Sequence, residues 1–274
     1  MSTFFLVQLF VSFFVGGALI TILSLIAENT NQRISGIILM FPTTLVLGFL
    51  FLGLTTTAEN VSIVIPATLI PLGIIVFSTV IYIYSSIFFE EHVKSKISQI
   101  LCSLLTSAIV WFLLASPFAI YKFSNLLIGI FGFFIIITVT HFILRDKKYK
   151  LSLARPVYSK TQIIVRALFT GSVIATVVFL GRTLNPFWGG IFTMFPAATF
   201  ATLTILHFYY DPRQLFHFMK SAPLGSISLF IYAISIMLLF PKIGIWAGTL
   251  VSYSISLIFG LLLIGHKVRQ HRTQ

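Results

Sequence analysis

The sequence predicts an all-α polytopic membrane protein of about nine transmembrane helices, arranged as two inverted four-helix repeats joined by a connector helix. Three observations predict this fold class: the apolar composition, the one-sided placement of basic residues, and a short proline motif that occurs twice. Of 274 residues, 58 % are hydrophobic and 9 % are charged, whereas about a quarter of the residues in a soluble domain are charged. So much apolar surface requires lipid as its solvent.

The individual spans follow from apolar runs of about 20 residues, each long enough to cross a bilayer as a helix. The runs are continuous and do not alternate polar with apolar residues, which favours helices over a β-barrel. Short polar breaks separate them. We predict spans at residues 4–27, 34–56, 61–87, 97–119, 124–144, 161–181, 187–209, 217–240 and 243–265.

The orientation follows from lysine and arginine, which concentrate on the cytoplasmic side of a membrane. The loop at 145–160 alone holds six basic residues. With this loop inside, 15 of the 18 basic residues lie inside and 3 lie outside. We therefore predict an integral inner-membrane protein with its N-terminus outside and its C-terminus in the cytoplasm. The net charge of +12 then reflects topology, and no nucleic-acid partner is expected.

The repeat is indicated by two similar segments, "GIILMFPTT" from Gly36 and "GIFTMFPAA" from Gly190, which lie 154 positions apart and match at five of nine residues. Asn31 and Asn185 each stand five residues before these glycines. Two further matches flank the motif in the same order, "FVGGALIT" with "FTGSVIAT" and "IPLG" with "APLG". We divide the chain into a first repeat (1–120), a connector helix with its basic loop (121–160) and a second repeat (161–274). Four spans plus one connector place the second repeat in the opposite orientation, an arrangement that many secondary transporters use.

The motif prolines, Pro42 and Pro196, lie roughly 12–14 Å into spans 2 and 7, close to the midplane of the membrane. Proline lacks an N–H and frees the carbonyl four residues before it, here those of Ile38 and Phe192. Such groups need a partner within the membrane. One interpretation is a substrate site between two broken helices; the other is a packing kink without a ligand. Hydroxyls close to the breaks are candidate substrate ligands: Thr43, Thr44, Thr193 and Thr199.

Other candidate residues have alternatives of their own. Arg166, about five residues into span 6, is a candidate partner for an anion, and the competing interpretation is that it snorkels to the cytoplasmic surface. Pro71 and Pro223 are either hinges or rigid kinks in spans 3 and 8. None of the six acidic residues lies at mid-depth in a span, which disfavours a cationic substrate. His207 and Asp211 are interpreted as an interfacial pair, and we expect no metal and no cofactor.

The segment "NTNQRISGIILMFPTT" resembles the GlpM-like family of small inner-membrane proteins, whose members are single four-helix units. Their pattern is an Asn five residues before a Gly, followed by Phe-Pro-Thr near the middle of the second helix. The first repeat matches it with Asn31, Gly36, Phe41, Pro42 and Thr43. The second repeat matches it with Asn185, Gly190, Phe195 and Pro196, and departs from it at Ala197. The resemblance implies a membrane unit and a fused pair of such units, and it implies no reaction.

The function predicted from these features is a secondary transporter or flippase that moves a small polar or anionic solute or a lipid head group through a midplane site. A fused pair needs no partner to close its site, so a monomer would suffice, and the sequence does not determine the oligomeric state. A non-transporting assembly or partner protein is the first alternative. The second is a membrane enzyme acting on lipid-linked substrates at the rim near Asp211. No nucleophile elbow, P-loop or metalloprotease motif occurs in the sequence, so an enzyme is not expected.

Overall fold

A computed structural model describes residues 3–28, 37, 40–145 and 159–270. Every regular element within these residues is helical, which confirms the all-α prediction. The helices are α1 (Thr3–Glu28), α2 (Thr43–Thr55), α3 (Ala58–His92), α4 (Lys96–Ile120), α5 (Leu126–Arg145), α6 (Lys160–Thr183), α7 (Pro186–Thr193), α8 (Ala197–Tyr209), a 3₁₀ turn (Pro212–Gln214), α9 (Leu215–Met219) and α10 (Ala222–Gln270). Six helical segments, counting α7 and α8 together, are long and apolar enough to cross a membrane. This supports an integral membrane protein.

The helices begin at polar residues in the breaks between apolar runs. The side chains of Thr57 and Ser95 accept hydrogen bonds from the first turns of α3 and α4. Ser159 and Gln162 form a capping box at the start of α6, in which each side chain bonds to the other residue's backbone. Capping of this kind satisfies amides that have no partner within the helix. The polar breaks therefore fix where each helix starts.

Helix α3 is the centre of the bundle. Of the residues in its most apolar 18-residue stretch, 83 % are buried, whereas the corresponding shares in α4 and α5 are 28 % and 22 %. Helices α4, α5 and α10 pack around it, and the large apolar side chains that α4 and α5 expose would face lipid. Such extensive exposed apolar surface is not found on soluble monomers.

Helix α10 reverses direction at Gly244. Spans 8 and 9 were predicted to be separated at "PKI", and the backbone instead stays helical through Pro241 and breaks at Gly244, with φ 78° and ψ 172°. Glycine adopts this positive φ at low cost because it has no Cβ. Ser256 donates a hydrogen bond of 2.6 Å to the carbonyl of Ser228, so the two arms of α10 lie side by side and antiparallel.

Several predicted boundaries are corrected by the structure. Span 3, predicted at 61–87, is longer than predicted at both ends, because α3 runs from Ala58 to His92, and Pro66 and Pro71 lie inside it as the predicted span required. Span 8 starts at Ala222 and not at residue 217, because residues 212–219 form the 3₁₀ turn and α9. Pro223 therefore lies in the first turn of a helix, where its missing N–H removes no hydrogen bond. Pro71 and Pro223 thus occupy different positions in their helices, although both precede Leu-Gly.

The bundle has two ends, which we name after the arginines that mark them. At the Arg213 end, Arg213 forms a salt bridge of 2.6 Å with Glu90 near the C-terminus of α3. At the Arg182 end, the Arg182 guanidinium lies 5.2 Å from the centre of the Phe5 ring. These contacts fix which helix termini share each face of the bundle.

Candidate functional site

Helix α7, which leads to the second proline, starts at a cap and packs through glycines. The Asn185 side chain accepts hydrogen bonds from the amides of Phe187 and Trp188, so this motif asparagine is the N-cap of α7. A Cβ at Gly190 would lie 2.1 Å from Cγ1 of Val64 on α3. Asparagine and glycine therefore serve the start and the close packing of the helix. Their counterparts in the first repeat, Asn31 and Gly36, lie outside the described residues.

The second proline separates two helices. Helix α7 ends at Thr193 and α8 starts at Ala197. The carbonyl of Phe192, which Pro196 was predicted to free, accepts a hydrogen bond of 3.0 Å from the amide of Phe195. The partner that this carbonyl was predicted to need is therefore a backbone amide of the same turn. The carbonyl of Ile38 lies outside the described residues.

The first proline has the same local geometry as the second. Pro42 precedes α2 with φ −73° and ψ 30°, and Pro196 precedes α8 with φ −75° and ψ 50°. In each break the residue after the proline donates to the carbonyl of the residue before it, at 2.7 Å for Thr43 and 2.7 Å for Ala197. Neither helix start is capped by a side-chain hydrogen bond. Two helices thus begin, with uncapped amides, at equivalent points of the motif.

The two breaks line one small cavity, which we call the central cavity. Its volume is about 20 Å³, room for roughly one water molecule. Its walls come from α2, α3, α8, α10 and the residues before α2 and α8. The lining residues are Met40, Phe41, Thr44, Leu45, Ile75, Phe195, Pro196, Ala197, Ala198, Thr199 and Leu229.

Of the predicted hydroxyls, the structure brings two to this cavity. Thr44 and Thr199 line it and are 8 % and 3 % exposed. Thr193 does not line it, because its hydroxyl donates to the carbonyl of Gly189 and its methyl packs against Gly48 of α2. Thr43 follows Pro42 but is also absent from the lining.

The electrostatics of the central cavity favour negative charge. A helix N-terminus carries the equivalent of about half a positive charge on its unsatisfied amides, and such ends bind anions. Here two of them, those of α2 and α8, begin beside the same enclosed space. The arrangement suits an oxyanion or a polar group that accepts hydrogen bonds, with the Thr44 and Thr199 hydroxyls as additional donors.

Arg166 lies in a second, larger cavity, which we call the Arg166 cleft. It has a volume of about 470 Å³ and is lined by residues in 97–104 of α4, 161–169 of α6 and 201–208 of α8. Arg166 is 2 % exposed, so its guanidinium does not reach the bulk solvent as a snorkelling arginine would. The structure therefore separates Arg166 from the threonines of the central cavity.

The polar residues at the Arg213 end form a charged cluster. The Arg213 guanidinium donates a hydrogen bond to Glu90 and lies 3.4 Å from Glu91, and the Arg213 amide donates to the Asp211 carboxylate, which caps the 3₁₀ turn. The hydrogen bond with Glu90 raises the pKa of the Arg213 guanidinium. The predicted pairing of His207 with Asp211 is not found, because the buried His207 ring lies 3.3 Å from the Tyr82 hydroxyl. Within the described residues, no three His, Cys, Asp or Glu side chains form a group suited to a metal ion.

No protein-family model, curated protein or solved structure matches this chain. The resemblance to the GlpM-like family accordingly stays a prediction.

Sequence reasoning found part of the lining of each cavity and missed the apolar remainder. Ile75 and Leu229 complete the central cavity from α3 and α10, and as ordinary apolar residues in long apolar runs they carry no signal of their own. Two features of the sequence indicated the Arg166 cleft. On α8, Ala201, Thr204 and Ile205 follow the spacing of one helix face. On α6, Arg166 is a single arginine within an otherwise apolar span.

Proposed function

We propose that the chain is a secondary-transporter-like or flippase-like membrane protein, in which a small polar or anionic group passes through the central cavity. The observation that carries the proposal is the meeting of two helix N-termini, which follow Pro42 and Pro196 and have no side-chain cap, at one small cavity. Discontinuous helices with this arrangement form the substrate sites of many secondary transporters.

The lining of the central cavity supports an inverted repeat. It contains three pairs of residues from the motif segments that are separated by the motif's own spacing of 154 positions: Phe41 and Phe195, Thr44 and Ala198, Leu45 and Thr199. A cavity that two halves build from equivalent positions lies on the axis that relates them. The substrate site of such a protein is expected on this axis.

The crossing of α1 and α6 gives independent support. A Cβ at Gly17 would lie 2.4 Å from the carbonyl oxygen of Ala167, and a Cβ at Gly171 would lie 2.4 Å from the carbonyl oxygen of Phe13. Gly17 and Gly171 are 154 positions apart, and so are Phe13 and Ala167. Each helix therefore presents the same surface to the other, as a two-fold axis requires.

The topology that goes with this proposal has nine crossings in two four-helix halves, related to GlpM-like units, with α5 as the connector. The broken segment ending in α2 crosses once, α7 and α8 cross together, and the two arms of α10 cross separately. The Arg213 end faces the cytoplasm of the inner membrane and carries most of the basic residues. The transport cycle moves one half against the other, so that the central cavity opens to each side in turn.

In the described conformation the central cavity is closed, because its volume of about 20 Å³ holds little more than one water molecule. Opening requires the starts of α2 and α8 to separate from each other on one side. The test is therefore accessibility. In a protein whose native Cys102 is replaced by Ser, we expect Thr44→Cys and Thr199→Cys to react with a membrane-impermeant maleimide added to one face or the other.

The matched control is Thr193→Cys, because Thr193 is 1 % exposed, near the same break, and outside the cavity lining. We expect it to remain unmodified. If Thr44→Cys and Thr199→Cys also stay unmodified from both faces under all conditions, the proposed central path is wrong, and a non-transporting partner protein becomes the better explanation.

A further inference from the structure

The Arg166 cleft has the shape and surface of a site for an amphiphile. Its volume of about 470 Å³ falls in the range of about 300–1,000 Å³ typical of ligand pockets. Nine of its thirteen lining residues are apolar. Residues at its mouth, including Leu101 and Val165, are 52 % and 58 % exposed, so in a membrane the mouth opens sideways to acyl chains and not to water.

The charge of the cleft is positive. Arg166 is the one formally charged residue of its lining and lies six residues into α6, about 9 Å from the helix start. This depth is close to the boundary between head groups and acyl chains. Lys96 and Lys160, the first residues of α4 and α6, directly precede the lining residues Ile97 and Thr161. Two further basic residues therefore begin the helices that form the cleft, and the carboxylates of Glu90 and Asp211 act electrostatically on one of them, Lys96.

The cleft and the central cavity lie along one face of α8. The cleft is lined by Ala201, and the central cavity by Ala197 and Ala198, which precede it by four and three residues. Residues with this spacing share a helix face. Between the two spaces, the Phe195 ring lies 6.2 Å from Phe169 of the cleft. These aromatic rings close the direct path from the cleft to the centre.

We propose that the Arg166 cleft binds an anionic phospholipid from the leaflet at the Arg213 end, with its phosphate on Arg166 and an acyl chain along α4, α6 and α8. The cleft is then the access site through which a lipid head group reaches the central cavity; this second step rests on the proposed function. Displacement of Phe195 from Phe169 opens the way between the two spaces.

The two halves differ at this position, which gives the site a direction. The residue 154 positions before Arg166 is Ser12, which is fully buried and donates its hydroxyl to the carbonyl of Leu9. The equivalent place near the Arg182 end therefore lacks the positive charge. Anionic lipid is expected to bind from one leaflet only.

Binding is tested by native mass spectrometry of the purified full-length protein in detergent, titrated with phosphatidylglycerol and with phosphatidylcholine. We expect the wild type to prefer phosphatidylglycerol by about fivefold, because both lipids carry a phosphate but only phosphatidylcholine adds a quaternary ammonium that cancels its net attraction to a basic residue. Arg166→Gln should abolish the preference. Arg182→Gln, the same substitution at the other end of α6, should retain it.

A second pair of variants tests the cleft without touching the buried charge. Val165→Trp, at the exposed mouth, should reduce binding of both lipids, and Ile109→Trp, which is 57 % exposed on α4 outside the lining, should not.

The proposal is wrong if Arg166→Gln keeps the lipid preference, if Val165→Trp binds lipid normally, or if millimolar inorganic phosphate displaces the lipid. The last outcome would assign the site to a soluble anion.

The binding assay and the cysteine-accessibility assay fail independently. Selective lipid binding with unreactive cysteines in the central cavity would support the lipid site and refute the transport path. Reactive cysteines without lipid selectivity would support the transport path and refute the lipid site. The access step itself predicts that Val165→Trp stops translocation of fluorescent phosphatidylglycerol in liposomes while Thr44→Cys remains reactive, and continued translocation in that variant refutes the step.

Discussion

Alanine at Gly17 and at Gly171 should destabilise the protein equally, because the two glycines make the same contact from opposite sides of one helix crossing. In each case the new Cβ would lie 2.4 Å from a backbone carbonyl oxygen, whereas ordinary contact begins at 3.4 Å. A backbone oxygen cannot rotate away as a side chain can. The axes of α1 and α6 must therefore separate by about 1 Å, and overpacking of this kind costs about 1–3 kcal/mol.

The double variant gives the sharper result. Once α1 and α6 have separated to accept one methyl group, the second is accommodated by the same movement. We therefore expect the double variant to lose about as much unfolding free energy as either single variant, since contacts that share one backbone shift are not additive. Unfolding by sodium dodecyl sulfate in mixed micelles, followed by circular dichroism, measures the three values.

Gly265→Ala is the matched control, because a Cβ there would meet nothing within 4 Å. It should be neutral or stabilising by up to about 1 kcal/mol from helix propensity. If only one of Gly17→Ala and Gly171→Ala is destabilising, or if their costs add in the double variant, the two-fold interpretation of the crossing is refuted.

Three further changes test local parts of the fold. Asn185→Ala should cost about 1 kcal/mol of unfolding free energy through loss of the cap, and Asn185→Ser should restore most of it; equal melting of all three proteins would contradict the capping role. Gly244→Ala should cost about 1–3 kcal/mol from the backbone conformation alone, since space is open there and only glycine readily adopts φ 78° with ψ 172°, and Gly244→Asn should cost as much. Arg213→Gln should cost less than about 1 kcal/mol, because Arg213 is 36 % exposed, and the loss should shrink in high salt. The raised pKa of Arg213 keeps its contribution complete below the ordinary arginine pKa and removes it only at strongly alkaline pH, so the same loss is expected at pH 7 and pH 9; a loss that disappears by pH 9 would contradict this.

The sequence was informative about the fold class and less so about helix boundaries. Long apolar runs leave helices as the only way to satisfy the backbone in lipid, so the all-α class followed directly. The boundary between spans 8 and 9 failed because Pro241 was treated as the break, whereas the turn depends on Gly244. Pro66 and Pro71 lie within α3, as the single predicted span required. Whether a proline interrupts a transmembrane helix depends on neighbouring helices, which the sequence does not display.

The candidate site was predictable in position and not in detail. The matched depth of Pro42 and Pro196 pointed to the meeting of two breaks, because depth follows from residue spacing alone. Which hydroxyls line the cavity depends on helix rotation. Thr199 faces the space and Thr193 turns to its own helix, and nothing in their spacing from Pro196 distinguishes the two roles.

The length of α3 ties the protein to the thickness of its membrane. Its 35 residues extend over about 52 Å, which exceeds a hydrocarbon thickness of about 30 Å even at the steepest usual tilt of about 40°. Both ends must therefore project into the head-group layers. In a thicker bilayer α3 would tilt less from the membrane normal. Because α4, α5 and α10 pack against α3, this change of tilt would also shift the neighbouring helices.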